Sequence, residues 1–183
     1  DTAFYDGVGT PQHDLPEADV TEEDIQQLKE KQLVTEVQKV LGPCVTVKLF
    51  TVVEMGKERR RLICWPKKVN LLKPVQLTPR FSTPRMLRNS LLYKYCVNLD
   101  LKAYFLQFPS DAPLYFKHRG KLYKLLTIAT GQSHCPSIGH ALLMSILERS
   151  CENLEVVCDG YLDNARLASD RLEHIRLAVE KFY

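Results

Sequence analysis

Two short strand-like runs end in aspartate, and they constrain the fold of this chain more than any other feature. The first run ends at Asp100 and the second at Asp163, and each is followed by residues typical of a change of direction. Carboxylates at one end of a sheet are the ligands that a pair of Mg²⁺ ions requires. A single aspartate at a turn is more often a solvated turn residue. The pair therefore favours a sheet that brings both carboxylates to one end, whereas each aspartate alone predicts little.

The composition is that of a globular protein. The chain has 183 residues, of which 45% are hydrophobic and 26% charged, enough for a sizeable core in one or two compact units. No apolar run approaches the roughly 18 residues of a membrane span, and the acidic N-terminus is unlike a signal or transit peptide. We therefore expect a soluble intracellular protein of the cytoplasm or nucleus, without a membrane partner.

Six cysteines are scattered along the chain without a Cys-x-x-Cys pair, and most lie in apolar runs. In an intracellular protein such thiols are usually reduced and buried. We expect reduced core cysteines rather than disulfides or metal ligands at Cys44, Cys64, Cys96, Cys135, Cys151 and Cys158.

The charge is unevenly distributed. Residues 1–30 hold nine acidic side chains against one lysine, whereas residues 57–94 hold eleven Lys or Arg against one glutamate. Aromatic residues at Trp65, Phe81 and Tyr93 interrupt this basic block. Basic residues interleaved with aromatics are typical of a surface that binds a phosphate backbone. A solvated basic face is the alternative.

The pattern of apolar and turn residues predicts a mixed α+β fold with helices on one face of an antiparallel sheet. In the first half we expect an extended arm over 1–20, a helix from Thr21 to Leu41 with an Asp24 capping arrangement, a hairpin over 44–65, a basic connector over 66–90 and a short helix within 83–93. In the second half we expect a strand over 95–100, a hairpin over 114–126, a helix over 136–150, a hairpin over 154–168 and a helix over 171–182.

The second aspartate lies in the sequence Val157-Cys-Asp-Gly-Tyr-Leu-Asp-Asn-Ala-Arg-Leu-Ala-Ser169. Together with the Asp100 strand, this stretch resembles the palm of a reverse transcriptase, with Asn164 where the second aspartate of the family's turn would stand. The resemblance implies an N-terminal arm over 1–20, a fingers-like region over 21–93 and a palm-like region over 94–183, without a thumb or an RNase H domain. It also implies that Asp100 and Asp163 are catalytic and that, with Asn164, they hold the metal.

Other family positions supply candidate nucleotide contacts. The stretch Arg59-Arg-Arg-Leu-Ile-Cys-Trp-Pro-Lys-Lys-Val-Asn70 resembles the fingers strand of these enzymes, which places Arg61 at the triphosphate-binding arginine and makes Lys57 a second phosphate contact. Phe105 falls at the aromatic gate against the ribose 2′-hydroxyl, with core packing as the alternative. Thr130 and Gly131 correspond to the nucleotide loop, although Gly131 is equally well explained as a turn glycine.

Further contacts to nucleic acid follow from the same resemblance and from the basic block. We expect them at Arg59, Arg60, Lys67, Lys68 and Tyr161. Some residues depart from the family pattern: Tyr104 replaces a small residue before the gate, Trp65 replaces an aspartate of the fingers strand, and Thr130 stands where the family commonly has Gln or Phe.

Two functions are consistent with these residues. The first is RNA-directed DNA synthesis by a two-metal route, which requires Mg²⁺ (or Mn²⁺), an RNA template with a DNA primer or an RNA-DNA hybrid, and dNTP. In that case Asp159 is a candidate to compensate in part for the charge missing at Asn164. The second is a catalytically degenerate, domesticated domain that binds RNA or protein, with a protein partner in place of the thumb. Among retroelements, the motifs are most similar to tyrosine-recombinase retrotransposons of the DIRS and VIPER kind.

Overall fold

The computed structural model describes residues 15–40, 45–56, 59–67, 70 and 84–183. The chain forms two compact units that are interleaved in sequence. The first unit comprises Asp1–Val75 and Phe105–Cys135, and the second comprises Gln76–Tyr104 and Pro136–Tyr183. The predicted functional division at residue 93 stays a prediction.

The described elements are helices separated by groups of strands. The helices are α1 (Glu22–Glu30), α2 (Pro84–Ser90), α3 (Cys135–Ser150) and α4 (Leu172–Phe182), with a 3₁₀ helix at Tyr104–Gln107. The strands are β1 (Val34–Val37), β2 (Val45–Thr46), β3 (Lys48–Glu54), β4 (Arg59–Trp65), β5 (Tyr95–Asp100), β6 (Leu114–His118), β7 (Lys121–Leu125), β8 (Val157–Tyr161) and β9 (Asn164–Ser169).

Helix α1 begins as predicted but ends early. The Asp24 amide donates to Thr21 Oγ1 (3.1 Å) and the Thr21 amide donates to Asp24 Oδ2 (2.9 Å), which completes a capping box. The expected continuation to Leu41 is wrong, because the helix ends at Glu30 and residues Val34–Val37 pair with β7. These residues include β-branched side chains that favour a strand, and the partner strand lies far along the sequence.

The first unit contains a four-stranded sheet and a separate hairpin. The sheet order is β1-β7-β6-β2, so β1 and β2, which precede residue 93, flank β7 and β6, which follow it. Residues 15–20 run extended beside these strands, and the Ala18 amide donates to the Lys117 carbonyl oxygen (2.7 Å). The hairpin is β3–β4, in which Lys48 lies opposite Trp65. The fully buried core side chains include Ile25, Val45, Val47, Leu49, Leu114, Phe116, Tyr123 and Leu125.

The second unit contains the antiparallel sheet β5-β9-β8 with helices packed against it. A Cβ atom on Gly160 would lie 2.9 Å from Met144 Sδ, so α3 packs closely on β8 at this position. Helix α4 packs on β5 and β9 and buries Ile175 and Ala178. This arrangement confirms the mixed α+β class with antiparallel sheets and helices.

The structure tests two further expectations. Within the described ranges, none of the helices is long and apolar enough to cross a membrane. The five described cysteines are free, and Cys64, Cys135 and Cys151 are buried while Cys158 is half-buried. Cys96 is exposed on β5, so the expectation of a core position was wrong for this residue. Cys44 lies outside the described residues.

Candidate active site

The register of the second-unit sheet brings the predicted metal ligands to one end. Asp100 on β5 lies opposite Asn164 on β9, and Asn164 lies opposite Tyr161 on β8. Asp163 occupies the turn between β8 and β9, and its carbonyl oxygen accepts a hydrogen bond from the Leu101 amide (2.8 Å). Asp100 and Asn164 are exposed and Asp163 is half-buried. The end of the sheet therefore presents two carboxylates and one amide side chain to solvent.

The turn that carries Asp163 contains an unfavourable backbone conformation. Tyr161 and Asn164 pair across it, which leaves Leu162 and Asp163 as its two central residues. Leu162 has φ +57°, a left-handed conformation that costs a residue with a Cβ atom about 1 kcal/mol. Two-residue hairpin turns usually place glycine, asparagine or aspartate at such a position. A leucine held there is typical of sites where the backbone conformation serves function.

The donor set at this end of the sheet fits a magnesium ion that is shared with a substrate. Mg²⁺ commonly uses one or two protein carboxylates and completes its octahedron with water and substrate phosphates. Asp100 and Asp163 supply two carboxylates, whereas the Asn164 amide Nδ2 donates to Asp163 Oδ1 (3.0 Å). In the part of the chain that the structure describes, no group of three or more His, Cys, Asp or Glu residues is arranged to hold a metal.

Asp159 does not join these ligands, so the expected compensation for Asn164 is not supported. The Asp159 side chain is buried, and its Oδ1 accepts a hydrogen bond from the Gly160 amide (3.0 Å). Asp159 lies opposite Arg166 in the sheet, whereas the turn end is formed by the Tyr161 and Asn164 pair.

Arg166 is a residue of this sheet that the sequence did not single out. Its Nε donates to Asn98 Oδ1 (2.7 Å) and its Nη1 donates to Ser90 Oγ (3.2 Å), which ties α2 to β5 and β9. Strand alternation places Arg166 on the same face as Asn164. A cation at the second position after Asn164 was the signal available in the sequence.

The candidate nucleotide loop in the first unit is held by packing. A Cβ atom on Gly131 would lie 2.1 Å from the Cys64 carbonyl oxygen, so the loop can approach β4 only with glycine there. Asn70 Nδ2 donates to the Gly131 carbonyl oxygen (2.7 Å), and the Ser133 amide donates to Asn70 Oδ1 (2.9 Å). The close approach to β4, rather than a turn conformation, explains Gly131. Thr130 is exposed beside it.

The segment around the predicted gate contains one buried phenol. The Tyr104 hydroxyl donates to the Gly139 carbonyl oxygen of α3 (2.9 Å). Burial raises the pKa of Tyr104 to about 12. This hydrogen bond explains why a large residue is accommodated where the family pattern has a small one. Phe105 follows in the 3₁₀ helix and is half-buried.

The basic residues of β4 are partly engaged by acidic partners. Arg61 is 60% exposed and forms an ion pair with Glu54 on β3. Arg60 lies 3.3 Å from Asp24 Oδ2 and donates to Thr51 Oγ1. Lys67 is exposed, with its Nζ 5.7 Å from the centre of the Trp65 ring, and Tyr161 of the second unit is also exposed. Lys57 and Lys68 lie outside the described residues, as does the side chain of Arg59.

Comparisons with known proteins support this geometry at the level of the fold. No family model matches the sequence, and no curated protein matches it either. A foamy virus protease-reverse transcriptase in complex with dsDNA superimposes with a TM-score of 0.72 at 16% identity, over 96% of this chain and 38% of that chain. The chain has a reverse-transcriptase-like fold.

A second solved structure supports the same conclusion. The CSH mutant of the Prototype Foamy Virus protease-reverse transcriptase gives a TM-score of 0.66 at 18% identity, over 92% of this chain and 24% of that chain. The chain therefore spans well under half the length of these two proteins. At this identity the likeness establishes the reverse-transcriptase-like fold and leaves activity to be argued from the residues.

Proposed function

We propose that the chain is the fingers-palm part of an RNA-directed DNA polymerase. The observation that carries the proposal is the register of β5, β9 and β8, which sets Asp100 opposite Asn164 and next to the Asp163 turn. The solved foamy viral relative in complex with dsDNA supports nucleic acid as the ligand class. The proposed substrates are an RNA template with a DNA primer, or an RNA-DNA hybrid, and dNTP. Among retroelements, the turn sequence favours a DIRS- or VIPER-type origin.

The proposed roles follow from the chemistry of each side chain. Mg²⁺, when bound, supplies Lewis-acid activation of the primer 3′-hydroxyl and neutralises the triphosphate. Asp100 and Asp163 would hold it, and Asn164 would offer only a neutral carbonyl oxygen. To do so, the Asn164 side chain must rotate its amide nitrogen away from Asp163 Oδ1, to which it donates a hydrogen bond in the structure.

The first unit carries the residues proposed for nucleotide binding. Arg61, with Lys57, would bind the triphosphate, and Arg61 must then exchange Glu54 for phosphate oxygens. Phe105 would exclude the ribose 2′-hydroxyl by filling its space. The backbone groups of Thr130 and Gly131 would contact the nucleotide. The absence of a side chain at Gly131 allows the loop to pack closely against β4.

A second candidate function is favoured by Asn164 itself. Replacing a carboxylate by an amide removes one negative charge next to the place where two dications would lie, which weakens their retention. The same fold without catalysis would serve as a binding module for RNA or protein, with a protein partner in place of a thumb. The basic residues of β4 would remain useful to such a module, because phosphate binding needs no metal.

The substitution Asn164→Asp discriminates between the two functions. If the metal site exists, the added carboxylate should tighten Mn²⁺ or Mg²⁺ binding by about tenfold and raise any primer extension. Without metal, the variant should be less stable by about 1 kcal/mol, since a third carboxylate then lies beside Asp100 and Asp163. Metal titration by calorimetry and thermal unfolding with and without metal measure both effects.

The control variant adds the same charge elsewhere in the second unit. Asn153→Asp alters an exposed residue before β8 and should change neither metal affinity nor extension. Asp100→Ala and Asp163→Ala should each abolish extension, and Mn²⁺ should support more activity than Mg²⁺, because it accepts imperfect ligand sets. A thumb-bearing form of the protein that stays inert with both metals after Asn164→Asp is a binding module rather than a polymerase.

A further inference from the structure

We propose that Trp65 is a stacking site for a nucleobase of single-stranded nucleic acid, an inference that rests on the proposed function only in taking nucleic acid as the ligand. Trp65 ends β4 on the outer face of the β3–β4 hairpin. Its neighbour Cys64 and the opposite residue Leu49 are buried in the first-unit core. Strand alternation therefore turns Trp65 and its partner Lys48 away from that core.

The exposure of this ring is unusual for its residue type. Trp65 is the single tryptophan of the chain, and 45% of it is exposed to solvent. Tryptophan is highly buried on average, because leaving a large apolar ring in water loses hydrophobic free energy. Exposed tryptophans are enriched at surfaces where another molecule covers the ring.

Two lysines and an arginine accompany the ring on the same face. Lys67 Nζ lies 5.7 Å from the centre of the Trp65 ring, so the exposed Lys67 side chain covers one face of the ring. Lys48 lies directly opposite Trp65, and alternation along β4 places Arg61 on the same face. An aromatic ring with cations around it is the arrangement by which proteins bind single strands, with the base on the ring and the phosphates on the cations.

The strength of the competing contacts favours the base. A cation over an exposed ring is held more weakly than a base stacked on the same ring. A base therefore replaces the Lys67 ammonium, and the flexible lysine side chain is then free to pair with the adjacent phosphate. In a duplex the bases are stacked on each other, so a single strand is the form that the ring can bind.

The backbone beneath the ring is fixed before any ligand arrives. Pro66 is buried, and the Asn70 amide donates to its carbonyl oxygen (3.2 Å). The Gly131 loop packs against the Cys64 carbonyl group, and Asn70 binds both Gly131 and Ser133. A ring on a rigid support loses less conformational entropy on binding, which favours affinity.

Intrinsic fluorescence tests the proposal directly, because Trp65 is the only tryptophan. A short oligothymidylate is titrated into the protein without metal or nucleotide, beside an abasic strand of the same length and charge. We expect the oligothymidylate to quench Trp65 and the abasic strand to leave its emission unchanged. Equal quenching by both strands, or none with either, overturns the stacking site.

Variants then separate the ring from the charges. Trp65→Leu should weaken oligothymidylate binding roughly 5- to 100-fold and leave the abasic strand unaffected, whereas Trp65→Phe should lose less. Lys67→Ala should weaken both strands alike and lower the salt slope of binding by about 0.7. An equal loss for both strands in Trp65→Leu, or an unchanged slope in Lys67→Ala, contradicts the assignment.

The result is independent of catalysis. Base-dependent quenching in a protein that remains inert after Asn164→Asp supports this inference and removes the polymerase proposal. Primer extension without base-dependent quenching supports the polymerase proposal and overturns the stacking site at Trp65.

Discussion

The loop at Gly131 and the turn at Asp163 both match a family motif, but for opposite physical reasons. At Gly131 the fold itself demands glycine, because any Cβ atom would collide with the Cys64 carbonyl oxygen. At the turn the fold works against the residue present, because Leu162 is held at φ +57°. A motif residue that packing requires says little about function. A residue that costs stability and lies beside two carboxylates says more.

The largest expected effect tests the packing side of this comparison. Gly131→Ala would place Cβ 2.1 Å from backbone oxygen, so the loop or β4 must move. We expect a loss of about 3 kcal/mol or more in the free energy of unfolding, measured by urea denaturation. Gly120→Ala is the matched control: Gly120 has φ +74° but no atom within 4 Å of its Cβ position, so only about 1 kcal/mol should be lost. Equal losses of stability in Gly131→Ala and Gly120→Ala would mean that close packing against β4 is not the reason for a glycine at position 131.

A smaller effect concerns the thiols near the same loop. Burial raises the pKa of Cys64 from 9.0 to about 12, with the nearby Cys135 as a second cause, and burial also raises the pKa of Cys135 to about 12. The folded state then keeps both protons while the unfolded chain loses them above pH 9. Stability should therefore be complete below about pH 9 and fall as pH rises towards 12, by about 1.4 kcal/mol per pH unit for each thiol.

Removing one thiol should flatten this alkaline slope. Cys64→Ala should lessen the loss of stability per pH unit between pH 9 and 10, measured by urea denaturation at each pH, even though the cavity lowers stability at neutral pH. Cys96→Ala, at an exposed position, should leave the slope as it is. If the slope in Cys64→Ala equals that of the unchanged protein, water reaches the Cys64 thiol. The contact between the Gly131 loop and β4 is then looser than the structure indicates.

The smallest effect tests the strained turn. Leu162→Gly should be more stable than Leu162→Ala by about 1 kcal/mol, because glycine adopts this positive φ without steric strain. At Leu142, an exposed position of α3, the order should reverse, with alanine more stable by about 1 kcal/mol. Thermal unfolding of the four variants gives both differences. If the glycine and alanine variants have the same order of stability at both positions, the turn is not strained. The contrast between this turn and Gly131 then no longer holds.

Local patterns predicted the hairpins and most helices. The β8–β9 hairpin, the β3–β4 hairpin and α3 all lie where alternation, turn residues and a helix-initiating proline indicated. The prediction failed over 33–40, where apolar residues fit a helical period as well as a strand. The partner that decides for the strand is β7, about ninety residues away at Val34↔Leu125. Such a pairing leaves no mark in the local sequence.

The candidate site was predictable in its carboxylates but not in its supports. Asp100 and Asp163 each end a recognisable run, so their place at strand ends could be inferred. The bond from Asn70 to Gly131 spans 61 residues and the bond from Arg166 to Asn98 spans 68. In neither of these two hydrogen bonds does the local sequence around one residue predict the identity of its partner. The burial of Asp159, which withdraws it from the proposed ligands, depends likewise on tertiary packing.

The interleaving of the two units limits how this protein can be divided. The chain crosses between them three times, after Val75, Tyr104 and Cys135. A cut at residue 93 would leave β1 and β2 without β7 and β6, the two strands that lie between them in the sheet. Neither unit can therefore be deleted or exchanged as one continuous segment of the chain while the other unit stays intact. In a chain of this topology, function can change one side chain at a time, at a position such as Asn164, while the scaffold remains whole.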